Sequence, residues 1–447
     1  MTISWMKEDI CTYKGIISPL KEVNGRSPFL KDYGSIIYRS QFRRLSNKTQ
    51  VFLNPSVDFP RTRLTHSIEV EQISKEISRC LVSLILEKFK MEDENSFAQN
   101  FEDLVCASCL AHDLGQAPFG HKGENTLFEI MKKITDINNP RDYFEANKQN
   151  VRILVGNDGR RPYGVSCALI DSIMKYKSSY FGQNDKHPNF YSHEAKIIEN
   201  LNIQSTLNIR HPACYIMEAA DDIAYISSDL QDALKLNLIS SNTVEKLLKD
   251  IPFPEHTNNF ELKSWSEVLD YCEEKKELTK ITSFLIKSML EVVKINLKDL
   301  FENIEKNENI ENLPKRMNSY LHNADCDLNI LYFESGRNFK RFKKSIYKDY
   351  ILKDKEIGRN EFLAEKVITE LWDVLCEHLI NRDYTKSDIF KLIPDHVQRN
   401  IQRAHENNKH YQSQKYQYLA DYISGMTDRY AVYLWSQLFN PTQLGFG

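Results

Sequence analysis

Apolar residues recur at helical spacing along most of the chain. In residues 66–86, Ile73, Ile77 and Leu81 follow one another every four residues and predict one amphipathic helix against a core. Residues 264–304 have the same period and predict one or two further long helices. Only 15 glycines and 14 prolines interrupt the 447 residues. The pattern therefore predicts a mainly α protein.

Strand signals and clear boundaries are few. Residues 155–166 contain an Asp-Gly pair between short apolar runs and predict at most one small β-hairpin. Residues 251–261 contain two prolines and two asparagines without periodicity, which indicates a soft boundary. We expect a core domain over 1–250. A C-terminal helical region over 251–447 would complete the functional pocket and make oligomer contacts.

Composition excludes several classes of protein. Hydrophobic residues make up 41% and charged residues 27%, an ordinary globular balance, and the net charge of −3 leaves anion binding to local patches. No apolar run approaches 18 residues and the first ten residues carry acids, so we expect no membrane span and no signal peptide. Nine cysteines, an odd number, favour a cytoplasmic location. Cys106 and Cys109 lie in an apolar run and are expected to be core thiols.

The stretch LAHDLGQAPFGHKGE at residues 110–124 concentrates the candidate chemistry. It places two histidines, two acids and three glycines in fifteen positions, and its His112–Asp113 pair suits a hard or borderline metal ion. A break at Ala117–Pro118 would let His121 fold back toward that ion. Further ligands must come from elsewhere, because two side chains alone would bind a metal weakly.

Two other segments offer such ligands. His66 follows two arginines, which suit phosphate contacts, and Thr65 is expected to cap the helix that begins there. Asp221, Tyr225 and Asp229 recur every four residues and share one helix face. A surface histidine and an exposed acidic face are the alternatives. Two histidines and two aspartates together suit Mn²⁺, Mg²⁺ or another transition metal such as Fe²⁺.

The order of His, then His-Asp, then Asp resembles the HD superfamily of metal-dependent phosphohydrolases. Further blocks, in the same order, resemble the bacterial deoxyguanosine triphosphate triphosphohydrolases of that superfamily. The resemblance implies an HD-domain helical fold with additional C-terminal helices. The blocks are FRRLSNKTQVF (42–52), RTRLTHSIEV (61–70), AHDLGQAPFGHKGE (111–124), FEANKQNVRIL (144–154), RHPACYIMEAADDIAY (210–225) and DYISGMTDRYA (421–431).

The resemblance also implies roles for individual residues. The expected metal ligands are His66, His112, Asp113 and Asp221. His121 matches the family's catalytic histidine, and Glu124 matches the carboxylate that orients it. The implied reaction is attack of water on the α-phosphorus of a dNTP, preferentially dGTP, which releases the deoxynucleoside and inorganic triphosphate. His121 would protonate the departing sugar oxygen.

Substrate contacts carried over from the family fall into two groups. Those on the phosphate side are Arg63, Asn147, Lys175, Tyr176 and Lys186. Those on the nucleoside side are Gln50, Val51, Tyr225 and Asp229. A Tyr225 ring flat against the deoxyribose would exclude a 2′-hydroxyl, and Asp229 would accept a hydrogen bond from the 3′-hydroxyl. The lysines have solvated surface charges as their alternative.

The chain departs from the family pattern in two blocks, at residues 111–124 and at residues 144–154. Gln116 and Ala117 stand where the family usually has a histidine and then a proline, and a glutamine at 116 can contact substrate but cannot titrate near neutral pH. Lys148 adds a charge that would contact phosphate or solvent.

Residues 421–431 are expected to pack as a structural helix that closes the pocket or forms an interface.

Relatives assemble into hexamers or tetramers, so a homo-oligomer is expected. Some respond to single-stranded DNA or to dNTP effectors, and the tract at 336–355, which is basic and interleaved with aromatic residues, would hold such a site. A solvated helix face is the alternative for this tract.

Two other functions of the protein stay open. One is a different HD phosphohydrolase, a nucleoside monophosphatase or a (p)ppGpp hydrolase, and the other is a non-catalytic nucleotide or nucleic-acid sensor. The sequence leaves the preferred base and the native metal undecided.

Overall fold

Nearly all regular structure in the computed structural model is helical. The described residues contain 19 α-helices and one two-stranded antiparallel ribbon, so the predicted mainly α fold is confirmed. None of the described helices is both long enough and apolar enough to cross a membrane. The structure describes residues 3–11, 17–18, 27–51, 60–91, 94–134, 139–175, 189–202, 209–255, 262–305, 308–322, 329–333, 336–406 and 412–439.

Ten helices precede residue 250. They are α1 (Pro28–Ile37), α2 (Ser40–Arg44), α3 (Arg63–Lys88), α4 (Glu94–Ala111), α5 (Gly120–Lys132), α6 (Ala146–Leu154), α7 (Cys167–Ser172), α8 (Ala195–Leu201), α9 (Pro212–Lys235) and α10 (Ser241–Leu248). Helices α3, α4 and α9 pack against one another. The candidate metal ligands lie on α3, on α9 and in the turn that directly follows α4.

Nine helices follow. They are α11 (Trp265–Glu274), α12 (Ile281–Glu302), α13 (Leu313–His322), α14 (Arg337–Ser345), α15 (Lys355–Cys376), α16 (Asp388–Leu392), α17 (Asp395–Glu406), α18 (Gln412–Ser424) and α19 (Asp428–Phe439). A π-helical turn at Ile346–Ile351 extends α14, and another at Glu377–Asn381 extends α15. The predicted boundary at residue 250 stays a prediction.

Both long helical segments predicted from periodicity form. Residues 66–86 lie within α3, and residues 264–304 form α11 and α12. The expected cap at Thr65 was wrong. Helix α3 begins at Arg63, and its capping residue is Thr62, one turn before Thr65. The Thr62 hydroxyl accepts from the Thr65 backbone N–H, and the Thr65 hydroxyl accepts from the Thr62 N–H. This reciprocal pair satisfies donors that a helix start leaves open, and Thr65 supplies its second half.

The predicted hairpin at 155–166 was wrong in position. The ribbon joins β1 (Ile10–Cys11) to β2 (Ile17–Ser18), and residues 155–165 are turns and irregular chain. Gly159 has φ +84°, and a β-carbon there would overlap the Asn400 side chain of α17, whose amide donates to the Asp158 carbonyl at 2.9 Å. The Asp-Gly turn therefore packs against a distant helix.

Buried apolar side chains form two clusters. The first extends from Ile3 to Ile357 and includes the α3–α4–α9 core. The second joins α5 to α15 and to the last three helices. Leu114 belongs to the first cluster, whereas Ala117 and Phe119 belong to the second. The candidate turn at 112–119 thus lies between the two clusters.

The cysteines that the structure describes form no disulfide. All eight described cysteines are free thiols, and Cys106 and Cys109 are buried in the core. Burial raises the pKa of Cys106 to about 12 and raises that of Cys109 as well. Both stay protonated and unreactive near neutral pH, in agreement with the sequence prediction.

Candidate active site

The His112–Asp113 pair opens a tight turn that follows α4. Asn150 of α6 holds this turn from beneath: its Nδ2 donates to the His112 carbonyl, and its Oδ1 accepts from the Gly115 N–H at 2.6 Å. Asn150 is 1% exposed. Helix α6 therefore fixes the backbone on which both predicted ligands stand.

Close packing of α6 explains the glycine at position 115. A β-carbon there would lie 2.6 Å from each of three atoms, the Ala146 oxygen, the Asn150 nitrogen and the Gln149 Cβ. Two of these atoms are backbone and cannot move aside. The turn and α6 can approach this closely only because residue 115 has no side chain.

We expect Gly115→Ala to destabilise the fold by about 1–3 kcal/mol, the usual cost of overpacking. Thermal unfolding of the purified variant measures this. Gly358→Ala is the matched control, because a β-carbon at that exposed site in α15 meets nothing within 4 Å. The control should be neutral or slightly stabilising, since alanine favours helix more than glycine does. Equal unfolding temperatures for Gly115→Ala and the parent would contradict the packing argument.

The four predicted metal ligands lie together. Single donor atoms of His66, His112 and Asp113 all fall within 4.8 Å of one another. Asp221, on α9, completes the group: its Oδ1 is 2.9 Å from His66 Nε2 and 3.5 Å from His112 Nε2. His66 lies on α3, Asp221 lies on α9, and His112 and Asp113 follow the end of α4. Because these three helices pack together, His66 and Asp221 meet although they are 155 positions apart.

The donor set fits a divalent cation. His112 Nδ1 lies 2.6 Å from the Cys109 carbonyl, which can only accept, so Nδ1 carries a proton and Nε2 is the nitrogen that faces Asp113 and Asp221 and is placed to bind a metal ion. Two imidazoles with two carboxylates are suitable ligands for Mn²⁺, Fe²⁺ or Mg²⁺. The geometry thus agrees with a metal site, and the identity of the ion is open.

Neighbouring cations keep the two carboxylates ionised. Burial alone would raise the pKa of Asp113, but Arg63, 3.0 Å away, and His112 hold it well below the usual range. Burial likewise opposes ionisation of Asp221, and Lys175 and His112 outweigh it, so its pKa is also lowered. Both groups are therefore charged and ready to bind a cation at neutral pH.

His121 lies at the start of α5, on the rim of the same cavity. Its side chain is 56% exposed, and its Nδ1 is 3.6 Å from Glu124 Oε2, one turn along the helix. The other Glu124 oxygen accepts from the Ala146 N–H at 2.8 Å. Burial would raise the pKa of Glu124, but hydrogen bonds from His121 and Ala146 lower it, so the carboxylate stays charged beside the imidazole.

One large cavity joins these groups. It has a volume of about 1080 Å³, at the upper end for small-molecule sites, and both His121 and three of the four ligands line it. Gln50 and Gln116 also line it, each with a buried side-chain oxygen that has no hydrogen-bond partner among the described residues. Such acceptors are costly unless a ligand or water donates to them. Val51 lines a smaller adjoining pocket.

The phosphate-side candidates separate into three cases. Arg63 and Lys175 line the cavity beside the ligand cluster, and Lys175 Nζ lies 2.7 Å from Glu218 and 3.4 Å from Asp221. Asn147 also lines it and donates to Glu145 at 3.0 Å. Tyr176 and Lys186 lie outside the described residues. The other arginine before His66, Arg61, pairs instead with Glu69 and Asp232.

Lys148 differs from expectation. It is 3% exposed, and its ammonium donates to the carbonyls of Arg141 and Tyr143 at 3.0 and 2.8 Å. Burial lowers its pKa to about 8. The contact with solvent was wrong, because the lysine packs the start of α6 against residues 141–143. Lys148 also lines the cavity, and its contact with phosphate stays a prediction.

Tyr225 lines the cavity one turn after Asp221. The Lys343 ammonium lies 4.7 Å from the centre of its ring, and Asp229, one turn further, is hydrogen-bonded to its hydroxyl. Asp229 is 4% exposed, and burial raises its pKa to about 8. The side chain of Asp229 therefore supports Tyr225, and its contact with a 3′-hydroxyl stays a prediction.

Sequence reasoning missed Asp222 and Asn329 at this cavity, and it assigned the basic tract to an effector site without placing it here. Asp222 forms an ion pair with Lys343 and accepts from Asn329 at 2.6 Å. Four lysines of the basic tract line the same cavity and are called here the lysine wall, namely Lys340, Lys343, Lys344 and Lys348. Their spacing of three or four residues along one segment was the available signal, and the chain fold decided that this face closes the pocket.

Family models match both parts of this arrangement. Residues 63–156, which carry three of the four ligands and His121, match the HD domain, and residues 336–437, which include the lysine wall, match the phosphohydrolase-associated domain. The fold and site thus define an HD-domain phosphohydrolase, a hydrolase with a candidate site for a divalent metal.

Curated relatives define the branch. A deoxyguanosinetriphosphate triphosphohydrolase-like protein of Listeria monocytogenes serovar 1/2a is 28% identical, with 94% of this chain and 95% of the relative covered. One of Rickettsia bellii is 28% identical over 92% of each chain. One of Synechocystis is 33% identical over 51% of this chain and 59% of its own. Over nearly its whole length the chain is therefore similar to deoxyguanosinetriphosphate triphosphohydrolase-like proteins, and it carries the HD domain.

Proposed function

We propose that the protein hydrolyses deoxynucleoside triphosphates, preferentially dGTP, to the deoxynucleoside and inorganic triphosphate, with His66, His112, Asp113 and Asp221 as metal ligands. The observation that carries the proposal is that this ligand cluster shares one cavity with His121 and with a wall of lysines. A divalent ion bound there, Mn²⁺ or Mg²⁺ above all, would neutralise charge on the α-phosphate and orient the attacking water.

His121 supplies the proton that a leaving sugar oxygen needs. It is the exposed histidine of the cavity, whereas His66 and His112 are 1% and 4% exposed and belong to the ligand cluster. Glu124, anchored on the Ala146 N–H, holds the imidazole in one orientation. Such positioned acid catalysis typically contributes ~10²–10⁴-fold to the rate. Gln116, which replaces the usual histidine, can donate to phosphate oxygens but carries no titrating proton.

Cations on two walls suit a triphosphate that leaves in one piece. Arg63 and Lys175 lie beside the ligand cluster. Lys344 and Lys348 of the basic tract line the same cavity and have no acidic partner within salt-bridge distance in the described part of the chain. This placement favours phosphate binding by the basic tract within the active site. A separate single-stranded DNA or dNTP effector site there stays a prediction, as do the roles of Tyr176 and Lys186.

Recognition of the nucleoside rests on Gln50, Val51 and Tyr225. Lys343 and the Asp229 hydrogen bond fix the Tyr225 ring in place, so the ring is a rigid surface. A rigid ring against the sugar excludes a 2′-hydroxyl by contact, which accounts for dNTP over NTP. The free Gln50 oxygen offers an acceptor for a base or sugar donor.

One assay tests the proposal. The purified chain is incubated with each of the four dNTPs and with GTP, in Mn²⁺ or Mg²⁺, and the products are resolved by ion-exchange chromatography. We expect deoxynucleoside and triphosphate in equal amounts, fastest with dGTP and slow with GTP. Orthophosphate or pyrophosphate as the product would favour another HD phosphohydrolase. Binding of nucleotide without turnover under every metal would favour a non-catalytic sensor.

A further inference from the structure

We infer that Asp428, the first residue of α19, is a positioning residue that sets the backbone on both sides of the substrate pocket. One Asp428 oxygen accepts from the Phe119 N–H at 2.8 Å, and the other accepts from the Thr49 N–H, also at 2.8 Å. The role rests on the proposed function, because it assigns Asp428 to the placement of His121. Asp428 does not line the cavity and would act through the chain it holds.

The Phe119 end of this contact is conformationally unusual. Phe119 has φ +63° and Gly120 has φ +60°, so two consecutive residues adopt the left-handed region immediately before His121. A phenylalanine rarely adopts that region, and such strained residues persist only where the surroundings hold them. Phe119 has no side-chain capping bond for the start of α5, and its own N–H is held by Asp428. The Asp428 carboxylate therefore stabilises the kink that aims His121 into the cavity.

The Thr49 end fixes the facing wall. Thr49 directly precedes Gln50, the glutamine whose free oxygen faces the cavity. The Thr49 carbonyl in turn accepts from Arg63 Nε at 3.3 Å, and Arg63 pairs with Asp113. The Asp428 carboxylate thus also supports the chain that carries Gln50, while Arg63 keeps its own ion pair with Asp113.

A second buried side chain reaches the same junction. Lys48, 2% exposed, donates to the Gln116 carbonyl and, at 2.7 Å, to the Ser424 carbonyl at the end of α18. Lys48 and Asp428 together attach residues 116–120 to the α18–α19 corner. This corner lies in DYISGMTDRYA, which the sequence left with a packing role only. The contacts give it a second role, because they hold the segment that carries the proposed proton donor.

The Asp428→Asn variant tests the role with little change in shape. An asparagine has one acceptor oxygen, and its NH₂ group would face a backbone N–H, so one of the two hydrogen bonds is lost. We expect kcat to fall by about ten- to a hundred-fold, because a small displacement of a catalytic group has effects of that order. KM for dGTP should change by less than about three-fold, and the affinity for Mn²⁺ should not change, since the four ligands keep their own supports.

Asp32→Asn is the matched control. Asp32 is 2% exposed, like Asp428 at 5%, and it accepts from the Ser166 N–H at 3.0 Å; neither Asp32 nor Ser166 lines the cavity. Its substitution removes a comparable buried contact and should leave kcat unchanged. Equal losses of kcat in Asp32→Asn and Asp428→Asn would reduce the effect to general destabilisation and overturn the inference. If Asp428→Asn does not fold, Asp428→Glu, which places both oxygens one methylene further out, gives the same comparison.

Hydrogen exchange separates this inference from the proposed function. In the parent, the Phe119 amide should be protected, and in Asp428→Asn a peptide covering 117–121 should exchange at least about ten-fold faster while peptides from α3 and α9 do not change. If the parent hydrolyses no dNTP under any metal, the proposed function fails and the exchange result still decides whether Asp428 holds the turn. Unchanged exchange together with parental kcat in Asp428→Asn would overturn the inference.

Discussion

Replacing His121 by alanine is expected to lower kcat for dGTP hydrolysis by at least about 10²-fold, because a leaving alkoxide then departs without its proton. Binding should survive. His121 is more than half exposed and is not one of the four clustered ligands, so its loss leaves the metal site and the fold intact. Steady-state rates, Mn²⁺ titration by calorimetry and thermal unfolding measure the three properties on one preparation.

Two further variants show whether the loss of kcat is specific to His121. His322→Ala removes an exposed histidine at the end of α13, outside the cavity, and should behave as the parent. Glu124→Gln keeps an oxygen for the Ala146 N–H but removes the charge beside His121, so its kcat should lie between those of the parent and His121→Ala. Parental kcat in His121→Ala would show that another group carries the proton.

The Asp113→Ala variant should bind no Mn²⁺ at concentrations that saturate the parent, and it should have no measurable turnover. The carboxylate is one of the four ligands, and its removal also leaves the Arg63 guanidinium buried without its 3.0 Å partner. An uncompensated buried charge typically costs 3–5 kcal/mol, by order of magnitude, so the unfolding temperature should fall as well. Calorimetric titration must therefore be done below the unfolding transition, which circular dichroism defines.

Asp229→Asn is the matched control for metal binding. Asp229 is a buried aspartate on the same helix as Asp221, two turns away, but it contacts Tyr225 and not the ligand cluster. Its Mn²⁺ stoichiometry and affinity should equal those of the parent. Saturable, parental Mn²⁺ binding by folded Asp113→Ala would remove Asp113 from the ligand set, and with it the main support for the hydrolase proposal.

Local patterns predicted the parts of the protein that depend on neighbours in sequence. The four-residue recurrence in 66–86 predicts α3, because one apolar stripe must face the core whatever it packs against. The recurrence of Asp221, Tyr225 and Asp229 predicts a shared helix face for the same reason. Prediction failed where a distant residue decided the local structure. The Asp158–Gly159 turn packs on Asn400, 242 residues away, and forms no hairpin.

The amino-acid sequence by itself determined the helical class of this protein and the chemical types of the ligand set, since periodicity and residue type are properties of short segments. Only the tertiary structure decided which of these groups meet. It placed the lysines of 340–348 on the pocket wall, paired Lys343 with Asp222, and brought Asp428 to Phe119 across 309 residues. No short stretch of sequence predicts pairs such as Asp428 and Phe119, because a hydrogen bond between distant segments depends on how the helices between them pack.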